Sequence, residues 1–408
     1  MIPRHLLKSV NQALQDTPAV LIVGPRQAGK STLARALRPQ SYVSLDLALP
    51  RAAAAADPDG FVAGLPAFVA LDEVQRVPEL FLAIKAAIDA ERRAGRFLLT
   101  GSANVLMLPK VADALPGRMQ IVTLWPFSQG EIGGGSDRFV DAVFEASVPP
   151  WSPPELTQTQ LFERVLRGGF PEVLSRAPAR RSAWFESYLT AVIEREIRDL
   201  ANLGNASELT TLVRLIAARN ASVLNLADVA RDARLAHSTA RRHLHLLETI
   251  FLVTQVPAWS TNLTSRVVRS PKVMLSDSGL AAHVLGLDRA RLDAQPVLGG
   301  GLLEGFVAME VHKQLSWSRV RPSLSHFRSR ANEEVDLVLE TRDGRVVGLE
   351  VKAGSTVRSE DFKGLRALAH LLGDRFVRGI VLHTGSETAA FGPNLWAMPV
   401  SALWSLGA

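Results

Sequence analysis

A short apolar stretch, Ala19–Val23, runs directly into Gly24-Pro25-Arg26-Gln27-Ala28-Gly29-Lys30-Ser31-Thr32, and a helical pattern follows over Ser31–Leu37. These residues fit G-x-x-x-x-G-K-[ST], and a strand before it with a helix after it is the setting that gives the spacing chemical meaning. The glycines let the backbone curl until its N–H groups converge, and a helix N-terminus adds partial positive charge at the same point. The object that fits such a cradle is a polyphosphate. Lys30 is then placed for the β- and γ-phosphates and Ser31 for Mg²⁺, so the loop 24–32 reads as an ATP site. The same feature commits the first part of the chain to strand–loop–helix units, and hence to a parallel sheet covered on both faces.

Two further strands carry polar ends. Phe68-Val-Ala-Leu71-Asp72-Glu73 closes an apolar run with two carboxylates: Asp72 is the candidate Mg²⁺ partner and Glu73 the candidate general base. Phe97-Leu-Leu-Thr100 runs into Gly101-Ser102, where Ser102, or else Thr100, would sense the γ-phosphate. Arg118 precedes the stretch Gln120–Leu124 and would neutralise transition-state charge, in its own subunit or across a subunit boundary; a plain surface arginine is the alternative. Tyr42–Leu45 completes a set of five candidate strands.

The chain is 408 residues, long for one core, and three regions are distinguishable. Residues 1–150 alternate strands and helices, 151–290 are helical, and 291–408 return to mixed α/β. Gly133–Pro154, rich in Gly, Ser and Pro, reads as a boundary loop. There is no cysteine, which excludes disulfides, thiolate nucleophiles and Cys-ligated zinc. Charges interrupt every apolar run before the ~20 residues of a membrane span, so a cytoplasmic protein without membrane contact is expected. The net charge of +6 is compatible with nucleic acid without specifying it.

With these motifs in hand, the chain resembles the AAA+-type P-loop ATPases of bacteria and archaea that end in a domain of unknown function with a nuclease-like fold. The resemblance rests on Val23–Ser31, Leu71-Asp-Glu-Val-Gln-Arg76, Leu99-Thr-Gly-Ser102, Pro116-Gly-Arg118, Trp125-Pro-Phe-Ser128 and Gly168-Gly-Phe-Pro171. It continues through Tyr188–Glu196, Lys272–Gly279 and Glu334-Val-Asp336; Glu196 stands where that family usually has Asp. It implies an AAA+ sheet, a helical lid with a winged helix, and a restriction-endonuclease-like C-terminal domain, assembled as a homo-oligomer.

The helical region contains a helix-turn-helix pattern over Leu224–Leu247. Ala227–Arg234 would be the first helix, Leu235–His237 the turn, and Ser238 the N-cap of the second. Ala240, Leu244 and Leu247 form its packed face, while Ser238, Thr239, Arg241 and Arg242 are candidate DNA contacts. The alternative use of this domain is packing against the ATPase part or a neighbouring subunit. In the last region, Glu304 lies on a helix near Leu302–Leu315, Asp336 on a strand, and Glu350 and Lys352 on one face of the next. The resemblance to PD-(D/E)XK nucleases maps their acids onto Glu304, Asp336 and Glu350 and their lysine onto Lys352, a candidate second metal site; a salt-bridged strand face is the alternative. The expected function is ATP hydrolysis coupled to DNA, branched or broken DNA included. The alternatives are a nucleotide-dependent switch acting on a protein partner or on transcription, and a Mg²⁺-dependent nuclease regulated by ATP.

Overall fold

The computed structural model describes residues 2–101, 116–147, 151–200, 206–329 and 331–407, which form two compact units. The first comprises Met1–Phe127 with Thr249–Phe251, the second Ser128–Glu248 with Leu252–Ala408.

In the first unit the expected strands form one parallel sheet. They are β1 (Ala19–Val23), β2 (Ser41–Ser44), β3 (Val69–Asp72), β4 (Phe97–Thr100) and β5 (Met119–Thr123), in the order β2-β3-β4-β1-β5. Side chains alternate across the pleat, so β1 serves two cores at once. Ala19, Leu21 and Val23 pack with Phe81, Ile84 and Ile88 of the helix Leu80–Ala90. Val20 and Ile22 pack with Leu6, Val10 and Ala13 of the helix Leu6–Asp16, and with Leu33 of the helix Lys30–Ala36. Burial on both faces is why these strands read as unbroken apolar runs.

The second unit holds two sheets. Strands β6 (Ser222–Val223), β7 (Val253–Val256) and β8 (Lys272–Leu275) pair in the antiparallel order β6-β8-β7, with helices Ala206–Ala218, Leu226–Asp232 and His237–Thr249 before β7. Strands β9 (Ser323–Arg328), β10 (Glu334–Glu340), β11 (Val346–Lys352), β12 (Phe376–His383), β13 (Ala389–Gly392) and β14 (Leu395–Pro399) form a mixed sheet, β13-β14-β12-β11-β10-β9. The β11–β12 pair is parallel, and the helix Lys363–Leu372 supplies the crossover such a pair requires. Among the described residues, no helix is long and apolar enough to cross a membrane.

Two separated motifs interlock within this unit. The fully buried Asp277 carboxylate accepts the Gly169 amide at 2.8 Å and caps the next helix through Leu280 N at 3.0 Å. Gly168 has φ +72°, and a Cβ there would lie 2.2 Å from an Asp277 oxygen. A Cβ on Gly279 would lie 2.5 Å from the Arg167 carbonyl oxygen, so the two segments pack at backbone distance. Asp277→Ala removes two hydrogen bonds to a buried carboxylate and is expected to cost about 2–4 kcal/mol. Urea denaturation followed by a tryptophan of this unit measures the loss.

Candidate functional site

All five strands of the first sheet run the same way, so the loops after β1, β3 and β4 emerge at one edge. The loop after β1 depends on its glycines. Gly24 has φ +146°, and a Cβ there would sit 2.1 Å from the Leu124 carbonyl oxygen; Gly29 has φ +100°. Pro25 and Ala28 are buried, Arg26 is partly exposed, and Gln27 and Thr32 face solvent. The Lys30 ammonium is buried and donates to the carbonyls of Gly24 at 2.9 Å and Pro25 at 3.0 Å.

The Asp72 carboxylate is where the three loops meet. Ser31 Oγ, at the start of the helix after the loop, lies 2.9 and 3.1 Å from its two oxygens. Thr100 Oγ1, at the end of β4, donates to the same Oδ1 and accepts the Glu73 amide at 3.2 Å. One hydroxyl therefore fixes both the carboxylate and the backbone that carries the neighbouring acid. Glu73 has φ +59°, a left-handed conformation that costs a non-glycine residue about 1–2 kcal/mol, and its carboxylate accepts a hydrogen bond from Gln75 Nε2. Tyr42 of β2 adjoins this group: burial first, then the Asp72 carboxylate, raise its pKa above the ordinary phenol value, so it stays neutral. The hydroxyl of Ser31 and the carboxylate of Asp72 are hard oxygen donors, and this donor set fits Mg²⁺.

The other candidates divide. Ser102 lies outside the described residues. Thr100, the second choice at that position, is joined to Asp72 and Glu73. Arg118 precedes β5 at the opposite end of the sheet: its carbonyl accepts Ala19 N, one strand length, roughly 17 Å, from the loop. Its guanidinium forms a bidentate pair with Asp89, at 2.6 and 2.9 Å. That places Arg118 away from its own subunit's loop, in an exposed ion pair at the surface.

In the second unit, Glu304, Asp336, Glu350 and Lys352 do come together, but around a residue the sequence reading passed over. Lys272, the first residue of β8 and 2% exposed, places its ammonium 2.7 Å from Glu304, 2.9 Å from Asp336 and 3.0 Å from Glu334. Burial alone would lower its pKa; Asp336, Glu304 and Glu334 together raise it above the usual lysine value, so it is held charged. Asp336 also accepts the Val351 amide at 2.9 Å, and Glu350 pairs with Lys352 at 3.0 Å. Burial, then the Asp336 charge, push the Glu304 and Glu350 carboxyls up. An ammonium thus stands among these carboxylates, which is the arrangement of the salt-bridged alternative to the expected second metal site.

The pattern read as a helix-turn-helix forms helices at Leu226–Asp232 and His237–Thr249. The second starts one residue early, so Ser238 lies in its first turn instead of capping it. Ala240, Leu244 and Leu247 are buried as expected, while Ser238, Arg241 and Arg242 are exposed and Thr239 is partly so. His243 is buried, with Nε2 2.9 Å from Glu208.

Comparison with known proteins agrees with this geometry. Residues 16–133 match the family model of the AAA domain, 158–291 that of a domain of unknown function (DUF8612), and 299–403 that of a domain of unknown function (DUF4143). Uncharacterized protein Rv2008c of Mycobacterium tuberculosis and Uncharacterized protein Mb2031c of Mycobacterium bovis are each 30% identical to the chain, over 99% of it and 85% of their own length. The chain belongs to their family. It is an AAA-domain P-loop protein with a C-terminal DUF4143 domain. Among solved structures, the Walker-type ATPase PABY2304 of Pyrococcus abyssi is 16% identical, covering 70% of this chain and 96% of that one at a TM-score of 0.44. PCH-2 of C. elegans is 14% identical, covering 60% and 64% at 0.20. At these scores the likeness decides nothing.

Several contributors had no role in the sequence reading. Lys272 opens the Lys272–Gly279 segment that carries the resemblance, yet nothing local assigns it to the acids. Gln75 lay inside a quoted motif but without a role. Arg4 of the AAA unit, 24 residues ahead of Ala28, donates to the Ala28 carbonyl at 3.4 Å and stacks 4.2 Å over the Phe127 ring. Lys272→Ala should cost about 3–5 kcal/mol, since it strands three carboxylates in a confined space. Burial and the Asp336 charge already push the Glu304 carboxyl up, and loss of Lys272 removes the charge that lowers it, so its protonation supports the fold at low pH and that support is lost as pH rises. The deficit in urea-derived stability should be smaller at pH 5 than at pH 8.

Proposed function

We propose that this protein binds ATP with Mg²⁺ in the loop 24–32, hydrolyses it, and couples the cycle to DNA. The observation that supports hydrolysis most directly is the Asp72 carboxylate held between Ser31 and Thr100, with Glu73 fixed beside it by the same threonine. Lys30 would bind the β- and γ-phosphates, and Ser31 and Asp72 would hold the metal. Bound Mg²⁺ supplies neutralisation of phosphate charge. Glu73 would take the proton of the attacking water, and Gln75, which hydrogen-bonds that carboxylate, would set its orientation. Thr100 is the better candidate for sensing the nucleotide, because it touches both acids. Arg118 would act on a neighbour's nucleotide, which makes the protein a homo-oligomer.

The coupling to DNA is supported by Arg241 and Arg242, exposed on the second helix of a two-helix pair whose next strands form an antiparallel sheet. That is the order of a winged helix, and such a helix would enter a major groove. The rival is a nucleotide-dependent switch acting on a protein partner or on transcription. It draws on Lys272, which joins β8 to three carboxylates of the DUF4143 region and would let a shift in one be felt in the other. ATP-regulated nuclease action has less support, since the same lysine stands among those carboxylates. A cytoplasmic location is proposed with the same reading.

ATP turnover separates these readings. Lys30→Ala should abolish ATP binding, and Glu73→Gln should retain binding while turnover falls about 10²–10⁴-fold. Single-stranded, duplex or branched DNA should raise the wild-type rate at low salt, and Arg241→Glu with Arg242→Glu should remove the rise. A rate unmoved by every DNA but raised by a protein partner would transfer the case to the switch.

A further inference from the structure

The interlocked segments described above, Gly168–Gly169 with Asp277 and Gly279, do more than close a core. They hold one wall of a cleft of about 1110 Å³ in the second unit. Arg164, Arg167 and Arg181 line it, the first two on the helix Gln158–Arg167 and the third on the helix Pro178–Leu200. All three are half-buried or nearly so, and none is within ion-pair distance of a described carboxylate. Arg164 stacks over the Trp404 ring at 5.3 Å, and Arg181 Nε donates to the Arg176 carbonyl at 2.7 Å. The buried Arg167 Nε has no hydrogen-bond partner.

Such a cluster is costly as it stands. Burial first, then the charges of Arg164 and Arg181, lower the Arg167 pKa, and burial lowers the other two. Guanidinium groups are ordinarily neutralised by carboxylates when withdrawn from water. Glu163 is the lining carboxylate whose charge supports Arg167 and Arg181, and it is exposed. Two other lining acids are engaged elsewhere or exposed: Asp288 caps the following helix through Arg291 N at 2.8 Å, and Glu155 faces solvent. Arg289, also on the cleft, is already paired with Asp293. All three lining acids, Glu155, Glu163 and Asp288, are exposed, so among the described residues no buried carboxylate lines the cleft beside the half-buried guanidinium groups.

We propose that this cleft is a binding site for a phosphate monoester, carried either by a free nucleotide or by the end of a nucleic-acid strand. A dianionic phosphate brings two negative charges to these half-buried guanidinium groups, where a carboxylate brings one. Its oxygens also suit the forked donors of arginine, which favour bidentate contacts. The volume is ample for a nucleotide, since ligand sites commonly span about 300–1000 Å³. The helix that carries Arg181 also carries the buried Phe185, which stacks with His283 at 6.0 Å, and His283 Nδ1 is 3.0 Å from Ser182 Oγ. Burial lowers the His283 pKa, so at neutral pH it adds an uncharged polar edge and not a fourth competing cation. Asp277 fixes the backbone that carries Arg167, so the donors are held in place before a ligand arrives. This site is separate from the ATP loop and does not depend on it.

The test uses the full chain carrying Lys30→Ala, which removes nucleotide binding at the loop, in buffer without divalent metal. Fluorescence anisotropy reads a 3′-fluorescein oligothymidylate bearing either a 5′-phosphate or a 5′-hydroxyl, with AMP and inorganic phosphate as competitors. Binding of the phosphorylated strand at least tenfold tighter than the hydroxyl strand, with AMP competing weakly, assigns the site to strand ends. Competition by AMP at comparable or lower concentration assigns it to free nucleotides. In either case Arg167→Gln and Arg181→Gln should each weaken binding at least tenfold. Arg181 makes only one backbone contact through its side chain, so its variant decides the matter should Arg167→Gln melt early. Equal affinity for the two strands with no competition by AMP, or affinities untouched by both substitutions, would overturn the proposal. Neither result bears on hydrolysis at Lys30 and Glu73, so the two readings fail separately.

Discussion

The hydrogen bonds received by the Asp72 carboxylate organise the first unit. Ser31 reaches it from the helix that follows the loop, and Thr100 reaches it from the end of β4. These groups come from three segments, and they meet because parallel strands deliver their carboxyl ends to one edge. The loop geometry feeds the same point: Gly24 must pass within contact distance of the Leu124 carbonyl, which no side chain permits. Once that approach is made, Lys30 and Ser31 begin the helix in fixed positions. Thr100 then extends the order to Glu73 through the backbone. A buried carboxylate held by two hydroxyls is well placed to exchange one of those contacts for a metal ion, which is how a structural network can double as a catalytic one.

Much of this was legible in the sequence, and the reasons are physical. β1 and β4 were found with their observed ends, because strands buried on both faces are unbroken apolar runs bounded by polar residues. β3 was displaced by one residue, since nothing in Phe68–Asp72 says which end leaves the ladder first. The loop was visible because its glycines and lysine stand at fixed spacing in one segment. What escaped was whatever depends on segments far apart in the chain. Lys272 meets Glu304 and Asp336 across 32 and 64 residues, and no local pattern announces an ammonium among those acids. Arg118 is a related case. Its nearness to β5 in sequence was legible, but which end of the strand it occupies relative to the loop follows only from strand direction.

In the C-terminal region residue types alone leave two readings open. Acids on a helix and two strands, with a lysine two residues beyond the last, suit metal-dependent chemistry, and the fold does gather them. The strand β8 then inserts an ammonium that satisfies three carboxylates at once. Charge balance and not residue identity decides what such a cluster can hold. The cleft presents the reverse case, three half-buried arginines lined only by exposed acids, and points to a different ligand. Two clusters within one unit thus differ in kind: in one the carboxylates share an internal ammonium, in the other half-buried guanidinium groups wait for an anion.

The central claim is that Asp72, and the hydroxyl it shares with Ser31, form the metal-dependent part of an ATP site. Calorimetric titration of ATP into wild-type protein and Asp72→Asn, each with and without Mg²⁺, tests this most directly. The wild type should bind ATP more tightly with Mg²⁺ than without it, and the variant should lose that difference while remaining folded. No binding of ATP by the wild type at millimolar concentration, or an undiminished Mg²⁺ dependence in Asp72→Asn, would contradict the account.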